Sequence, residues 1–200
     1  GTFLDIDHGT YPFVTSSNST VGGVCSGSGV APTKVDRIIA CVKAYTTRVG
    51  EGPFPTEFPE DFNDKIRQKG KEFGATTGRP RRCGWFDSVL VRYSSIINGA
   101  DGLAIMKLDV LDGLDELKIC KGYKHKGKTY KDFPMDLEVV SNVKPIYETM
   151  PGWDEPTTGV RSFKNLPKNA KAYIKRLEEL VGVKVKYISI GSKRDQIIIR

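Results

Sequence analysis

Helix-period segments alternate with strand-like apolar runs along most of this chain, and that alternation is the strongest limit on what it can fold into. Leu103-Ala104-Ile105-Met106 reads as a buried strand, and the segment Lys168 to Val181, entered through Pro167, carries Ile174, Leu177 and Val181 on one helical face. Gly182 ends that helix, Val183 to Ile190 reads as the next strand, and Ile197-Ile198-Ile199 as a last edge strand after the Gly191-Ser192 turn. Alternation of this kind specifies an α/β fold: a mostly parallel central sheet flanked by helices, with long loops and a small antiparallel element. With 200 residues the chain is one domain or a large piece of a bigger one.

The remaining elements are read the same way. Leu4, Ile6 and the stretch Tyr11 to Thr15 predict two extended pieces around Gly9. The hydroxyl- and glycine-rich run from Thr15 to Gly29 predicts a loop. Pro32 opens a predicted helix over Lys34 to Val42, where Val35, Ile38, Ile39 and Val42 recur at helical spacing. Ala40 to Tyr45 then turns continuously apolar around Lys43 and suggests a strand. A helix is expected over Phe62 to Phe73 with Ile66 inward, and another over Val89 to Ile97, N-capped by Asp87 and stopped by Gly99. Leu117 to Cys120 reads as a strand, Lys121 to Asp132 as a solvated basic hairpin, Val143 to Met150 as extended, and Pro151-Gly152-Trp153 as a turn.

Three loops carry the residue types of a binding site: Thr15 to Thr20, Gly50 to Thr56, and Gly74 to Arg82. The first offers hydroxyls and backbone donors that suit an anion, although a plain linker has the same composition. The last places two threonines and a glycine before three arginines, whose planar forks match carboxylate or phosphate in bidentate pairs. It reads as a clamp for a small dicarboxylate or a phosphate, with a flexible basic surface loop as the plainer alternative. Lys107-Leu108-Asp109 follows the apolar strand at the end where ligands collect in an open parallel sheet, and the Asp112-Gly113 turn follows it. A carboxylate there accepts from the N1 and N2 donors of guanine, a donor pair adenine lacks, while the lysine stem covers the ring. A charged strand end is the alternative.

Composition removes several other classes. The net charge of +7 favours anionic partners but is explained equally well by solubility, and its basic residues are spread along the chain without the aromatic interleaving of a single-strand groove. Nucleic acid is therefore not the expected partner. No apolar run approaches the roughly 20 residues that span a bilayer, and the chain opens without a secretory signal, so no membrane partner is expected. Four scattered cysteines and two histidines, with no CxxC pair, argue against zinc and for reduced thiols in a cytosolic setting. There is no Walker A sequence and no Ser–His–acid or Cys–His arrangement, and the aspartates make no metal-binding motif.

Read together and in order, the segments Gly1 to Asn18, Lys43 to Glu57, Glu72 to Arg82 and Lys107 to Gly113 resemble adenylosuccinate synthetase, and the likeness continues through Lys118-Ile119-Cys120, Leu166-Pro167 and Ile190-Gly191. The resemblance implies an incomplete domain similar to the P-loop NTPases. Residues 1–57 would form the IMP-side strands and loops, 58–100 the aspartate-loop region, and 101–200 the guanine-binding region and C-terminal elements. It implies a ligase of purine nucleotide (AMP) biosynthesis: GTP phosphorylates the 6-oxygen of IMP, and L-aspartate displaces that phosphate to give adenylosuccinate. Mg2+ would assist, bound mainly outside this chain.

The roles that the resemblance implies fall on particular residues. Thr15 would contact the IMP phosphate, and Arg48 and Val49 would line its ribose. Gly74, Ala75, Thr76, Thr77, Arg79 and Arg81 would form the aspartate-binding loop, with Arg79 on the substrate carboxylate. Arg81, Lys107, Asp109, Ser189 and Gly191 would serve GTP, although Ser192 stands where some members have proline. No catalytic residue is assigned, because the family's catalytic aspartate, catalytic histidine and phosphate loop would all lie upstream of Gly1. The expectation is a cytoplasmic homodimer in the full-length protein, with this chain inactive unless joined by an N-terminal portion. A non-catalytic guanine-nucleotide-binding module is the competing reading.

Overall fold

In the computed structural model, which describes residues 1–200, the elements with complete local signals form as the pattern demands. Five helices, α1 (Val21–Ser28), α2 (Glu60–Gly70), α3 (Ser88–Asn98), α4 (Leu137–Asn142) and α5 (Lys168–Val181), accompany ten strands. The strands are β1 (Ile39–Lys43), β2 (Thr46–Arg48), β3 (Arg82–Gly84), β4 (Phe86–Asp87), β5 (Gly102–Met106), β6 (Leu114–His125), β7 (Lys128–Tyr130), β8 (Lys144–Trp153), β9 (Val185–Ser189) and β10 (Ile197–Ile199). Helix α5 buries Ala170, Tyr173, Ile174, Leu177 and Val181 and stops at Gly182, whose φ of 81° is the left-handed cap that glycine supplies. Helix α3 is capped at its start by Asp87 and at its end by Gly99, φ 59°.

The central sheet has the order β1-β5-β9-β10. β1 and β9 both pair parallel to β5, and β10 closes the edge antiparallel to β9. Leu103 and Ile105 of β5, Val185 and Ile188 of β9, and the inner face of α5 share one hydrophobic core. No helix is long and apolar enough to cross a membrane.

The antiparallel part is larger than expected. β6 runs for 12 residues and pairs with β8 over nearly its whole length, with β7 on its other side and the short β4 parallel to it. The expected basic hairpin is therefore the tip of this second sheet, turning at Lys126 and Gly127, both at positive φ. Its Tyr123 is fully buried rather than solvated. Pro151-Gly152-Trp153 is also strand, not turn. A Cβ on Gly152 would sit 1.5 Å from the Leu114 carbonyl oxygen, so only glycine allows β8 to lie so close to β6.

Four further expectations are corrected. Val35 to Val42 is not helical: a single 3-10 turn at Pro32–Lys34 leads into extended chain and β1. There β5 supplies the backbone partners, and Asp101 accepts from the Ile38 N–H, so pairing in the sheet overrides a fortuitous helical spacing. The Thr15–Gly29 run contains helix α1 despite its glycines, because the Asn98 side chain accepts the Val21 N–H from outside the segment. Leu4 and Ile6 form no strand; residues 2–4 make a 3-10 turn, and the buried Asp5 carboxylate gathers the N–H groups of Asp7, His8 and Ser19. Helix α2 stops at Gly70 rather than Phe73, because Lys71 turns left-handed (φ 50°) and Phe73 bridges to Pro80.

Asp87 illustrates what a buried cap is worth. Its carboxylate accepts from Val89 and Leu90 N–H and from the Tyr123 hydroxyl at 2.7 Å. Burial pushes its carboxyl up to about 6, against the pull of those bonds. The folded state thus binds a proton that the unfolded chain releases near 3.8, so the stabilisation from the neutral form is complete below pH 4 and is lost as pH rises through about 6. D87N keeps the acceptor and should flatten this pH dependence in chemical denaturation. D87A removes the cap and orphans Tyr123, and should cost about 2–4 kcal/mol.

Candidate functional site

Strand β5 delivers its last residues to the C-terminal edge of the parallel sheet, beside the ends of β1 at Lys43 and β9 at Ser189. There the chain turns sharply. Lys107 adopts φ 61° and starts a 3-10 turn, Leu108–Leu111, whose Leu108, Val110 and Leu111 are buried and anchor it. The turn is fixed from behind: Asp112 accepts from Trp153 Nε1 at 2.6 Å and from the backbone and hydroxyl of Thr157 at 2.8 and 3.0 Å. Asp109 Oδ1 is buried with no hydrogen-bond partner, and burial raises its carboxyl above the usual range, with Asp112 adding to the shift. An unmatched buried acceptor is costly unless a ligand completes it. The predicted residues Ser189 and Gly191 lie on the same edge, where the Ser189 hydroxyl donates to the Gly191 carbonyl at 2.9 Å.

Between this edge and the arginine loop stands Glu72, which the sequence reading did not single out. Its carboxylate is fully buried and accepts from Lys43 Nζ (2.8 Å), the Tyr45 hydroxyl (2.6 Å), Arg81 (2.8 Å) and Lys107 Nζ (2.8 Å). Burial would raise its carboxyl, but the bonds from Lys107, Lys43, Tyr45 and Arg81 outweigh that and hold it at about 2. Lys107 Nζ also donates to the Gly70 carbonyl at 2.7 Å. The only local signal was an isolated carboxylate at the foot of a basic loop.

The Gly74 to Arg82 loop is closed by its own backbone. Gly74 N–H donates to the Arg79 carbonyl at 2.8 Å and Gly78 N–H to the Gly74 carbonyl at 2.9 Å, with Gly78 at φ 65°. Its three arginines have different fates. Arg81 binds Glu72, and Arg82 binds Glu57 and donates to the Gly52 carbonyl at 2.9 Å. Arg79 is exposed, and its guanidinium makes no hydrogen bond or ion pair. Of the three arginines only Arg79 has a guanidinium with no partner in the fold; Arg81 and Arg82 are each held by a carboxylate.

Two cavities adjoin the loop. One, of about 600 Å³, is lined by Thr15, Val49, Gly74, Thr77 and Arg79 among others. The other, of about 430 Å³, includes Lys43, Arg48, Val49 and Arg81, so Val49 walls both. Arg48 is itself engaged, donating to the Glu51 and Phe13 carbonyls and the Thr10 hydroxyl, and its guanidinium is pulled down to about 10 by burial and by Arg82. Ala75 and Thr76 are exposed at the loop tip and line neither cavity. Lys107, Asp109, Ser189 and Gly191 also line neither; Lys107 joins the loop through Glu72. No three His, Cys, Asp or Glu side chains of this chain converge on one point.

The profile of the family described as adenylosuccinate synthetase matches residues 1–198. Adenylosuccinate synthetase from Thermodesulfovibrio yellowstonii is 55% identical over 200 residues, which is 100% of this chain and 47% of that protein. The protein of the same name from Desulfatibacillum aliphaticivorans is 57% identical over 199 residues, 46% of its length. This chain thus spans about half the length of the curated relatives it matches. The solved structure of fully ligated adenylosuccinate synthetase from Plasmodium falciparum superposes with a TM-score of 0.96 at 42% identity, covering all of this chain and 48% of that one. A cyanophage S-2L succinoaminodeoxyadenylate synthetase shares the fold at a TM-score of 0.58 and 15% identity, across 44% of its chain.

Proposed function

This chain belongs to the adenylosuccinate synthetase family, and from that membership we propose that it supplies the aspartate, guanine and part of the IMP recognition of a GTP-dependent ligase. The reaction would transfer the γ-phosphoryl of GTP to the 6-oxygen of IMP, then let the L-aspartate amine displace that phosphate to give adenylosuccinate. The first step turns a poor leaving group into a good one, so the protein's task is mainly to position and to neutralise charge. In the same reading the longer protein acts in AMP biosynthesis as a cytoplasmic homodimer, and its proton-transfer groups and magnesium ligands stand outside these 200 residues.

The observation that carries the reading is the 600 Å³ cavity that joins Thr15 and Val49, the nucleotide-side residues, to Gly74, Thr77 and the unpaired Arg79. A nucleotide phosphate and ribose would occupy the first pair. The aspartate carboxylate would take the guanidinium, whose bonds are left free for it. Asp109, with its unpartnered oxygen, would accept from guanine N1–H and N2–H, and Lys107 would cover the ring. Ser189 and Gly191 would close over the base from the β9 end. Arg81 would face both the aspartate loop and the GTP phosphates.

The test is product formation from IMP, GTP, magnesium and L-aspartate, with adenylosuccinate detected by mass. The full-length protein should form product only with all four present, and the 200-residue chain alone should form none. Failure of the full-length protein would overturn the function; turnover by the chain alone would overturn the division of labour.

A further inference from the structure

Glu72 lies on no ligand-facing surface, yet its two oxygens divide between the two recognition elements. Oε2 accepts from Lys43 and from Arg81 of the Gly74 to Arg82 loop, and Oε1 accepts from Tyr45 and from Lys107 at the end of β5. The carboxylate is wholly buried, whereas the Lys43, Arg81 and Lys107 side chains keep 23%, 28% and 34% of their surface exposed, so each cation is held from behind with an outer side open. Three cations gathered on one charge cannot stay in place without it. In a partly desolvated setting their mutual repulsion is strong, and the bonds to the ionised oxygen are the directional kind.

We propose that Glu72 is a positioning residue that sets Arg81 on the aspartate side and Lys107 on the guanine side in one shared arrangement, so that each ligand binds a surface the other half helps to fix. This rests on the function proposed above. The arrangement links two sites that share no cavity. It also explains why a glutamate is needed where no substrate reaches it: glutamine would present an amide N–H₂ to one pair of donors and drive that pair away.

The test uses the full-length protein, with KM for L-aspartate and for GTP measured in Glu72→Gln and in Tyr45→Phe. In E72Q both KM values should rise about tenfold or more, while kcat falls by a smaller factor. Y45F removes one bond to the same carboxylate but keeps its charge and all three cations, so both KM values should rise by less than in E72Q. A Glu72 that serves only architecture would lower the melting temperature and the active fraction but leave both KM values unchanged, and that result, or a change in one KM alone, overturns the proposal. Should E72Q not fold, Lys107→Ala decides the matter: its aspartate KM at saturating GTP should rise about fivefold or more, and an unchanged value refutes the link. A wild-type protein that makes no adenylosuccinate is a different failure, that of the function itself.

Discussion

Replacing Arg79 by leucine in the full-length protein is expected to raise the KM for L-aspartate by about one to two orders of magnitude, the worth of a charge-assisted hydrogen-bond pair to an ionised group. The expectation follows from the unequal roles of the loop's arginines. Arg81 and Arg82 are paired with Glu72 and Glu57, while Arg79 alone presents an unpaired guanidinium to the cavity. R79K should fall between, because an ammonium keeps the charge and loses the planar fork. The KM for GTP should move little in both variants. Steady-state kinetics with aspartate varied at saturating IMP and GTP decides it, and an R79L enzyme with a normal aspartate KM would remove Arg79 from the site.

A second large effect is expected at Asp109. D109N should lower kcat/KM for GTP by about two to three orders of magnitude, because the amide offers one acceptor and one donor where guanine presents two donors. The same substitution should improve the use of xanthosine triphosphate, whose base pairs a donor at N1 with a carbonyl at C2. The buried Oδ1 supports the prediction, since that oxygen has no partner within the fold. Comparing the two triphosphates with both proteins is the measurement, and an unchanged preference for GTP would move the guanine contact elsewhere.

The parts of this architecture that can be read from the sequence are those whose signals are local. Helix α5 carries its apolar stripe and its Gly182 stop within one stretch, and α3 carries both its cap and its terminator. The loop of Gly74 to Arg82 and the Lys107-Leu108-Asp109 strand end stand out in the sequence for the same reason. What could not be read depends on partners far along the chain. Helix α1 exists because Asn98 receives its first N–H from 77 residues away, and the extended course of Ile38 to Lys43 depends on Asp101 and on β5. Glu72 opens the segment Glu72 to Arg82 but carries no chemistry legible there; its importance appears only when Lys43 and Tyr45, Arg81 and Lys107 arrive from three stretches of the chain. Likewise the arginines of the loop look alike in sequence and are separated only by which carboxylates fold against them.

The close approach of Gly152 to Leu114 bears on the order in which this molecule acquires its recognition surface. The β6–β8 ribbon tolerates no side chain at that point, so a slip of one residue would drive Pro151 or Trp153 into the Leu114 carbonyl and reverse every face. In register, the ribbon brings the Trp153 indole to Asp112 and the Trp153 carbonyl to the Gly113 N–H, which fixes the turn that carries Asp109. Because that pairing closes a long loop through α4, it forms slowly compared with the helices. Asp109 should therefore gain its geometry late in folding, and amide-exchange protection of the Leu108–Asp112 turn should appear together with that of β8 and after that of α5.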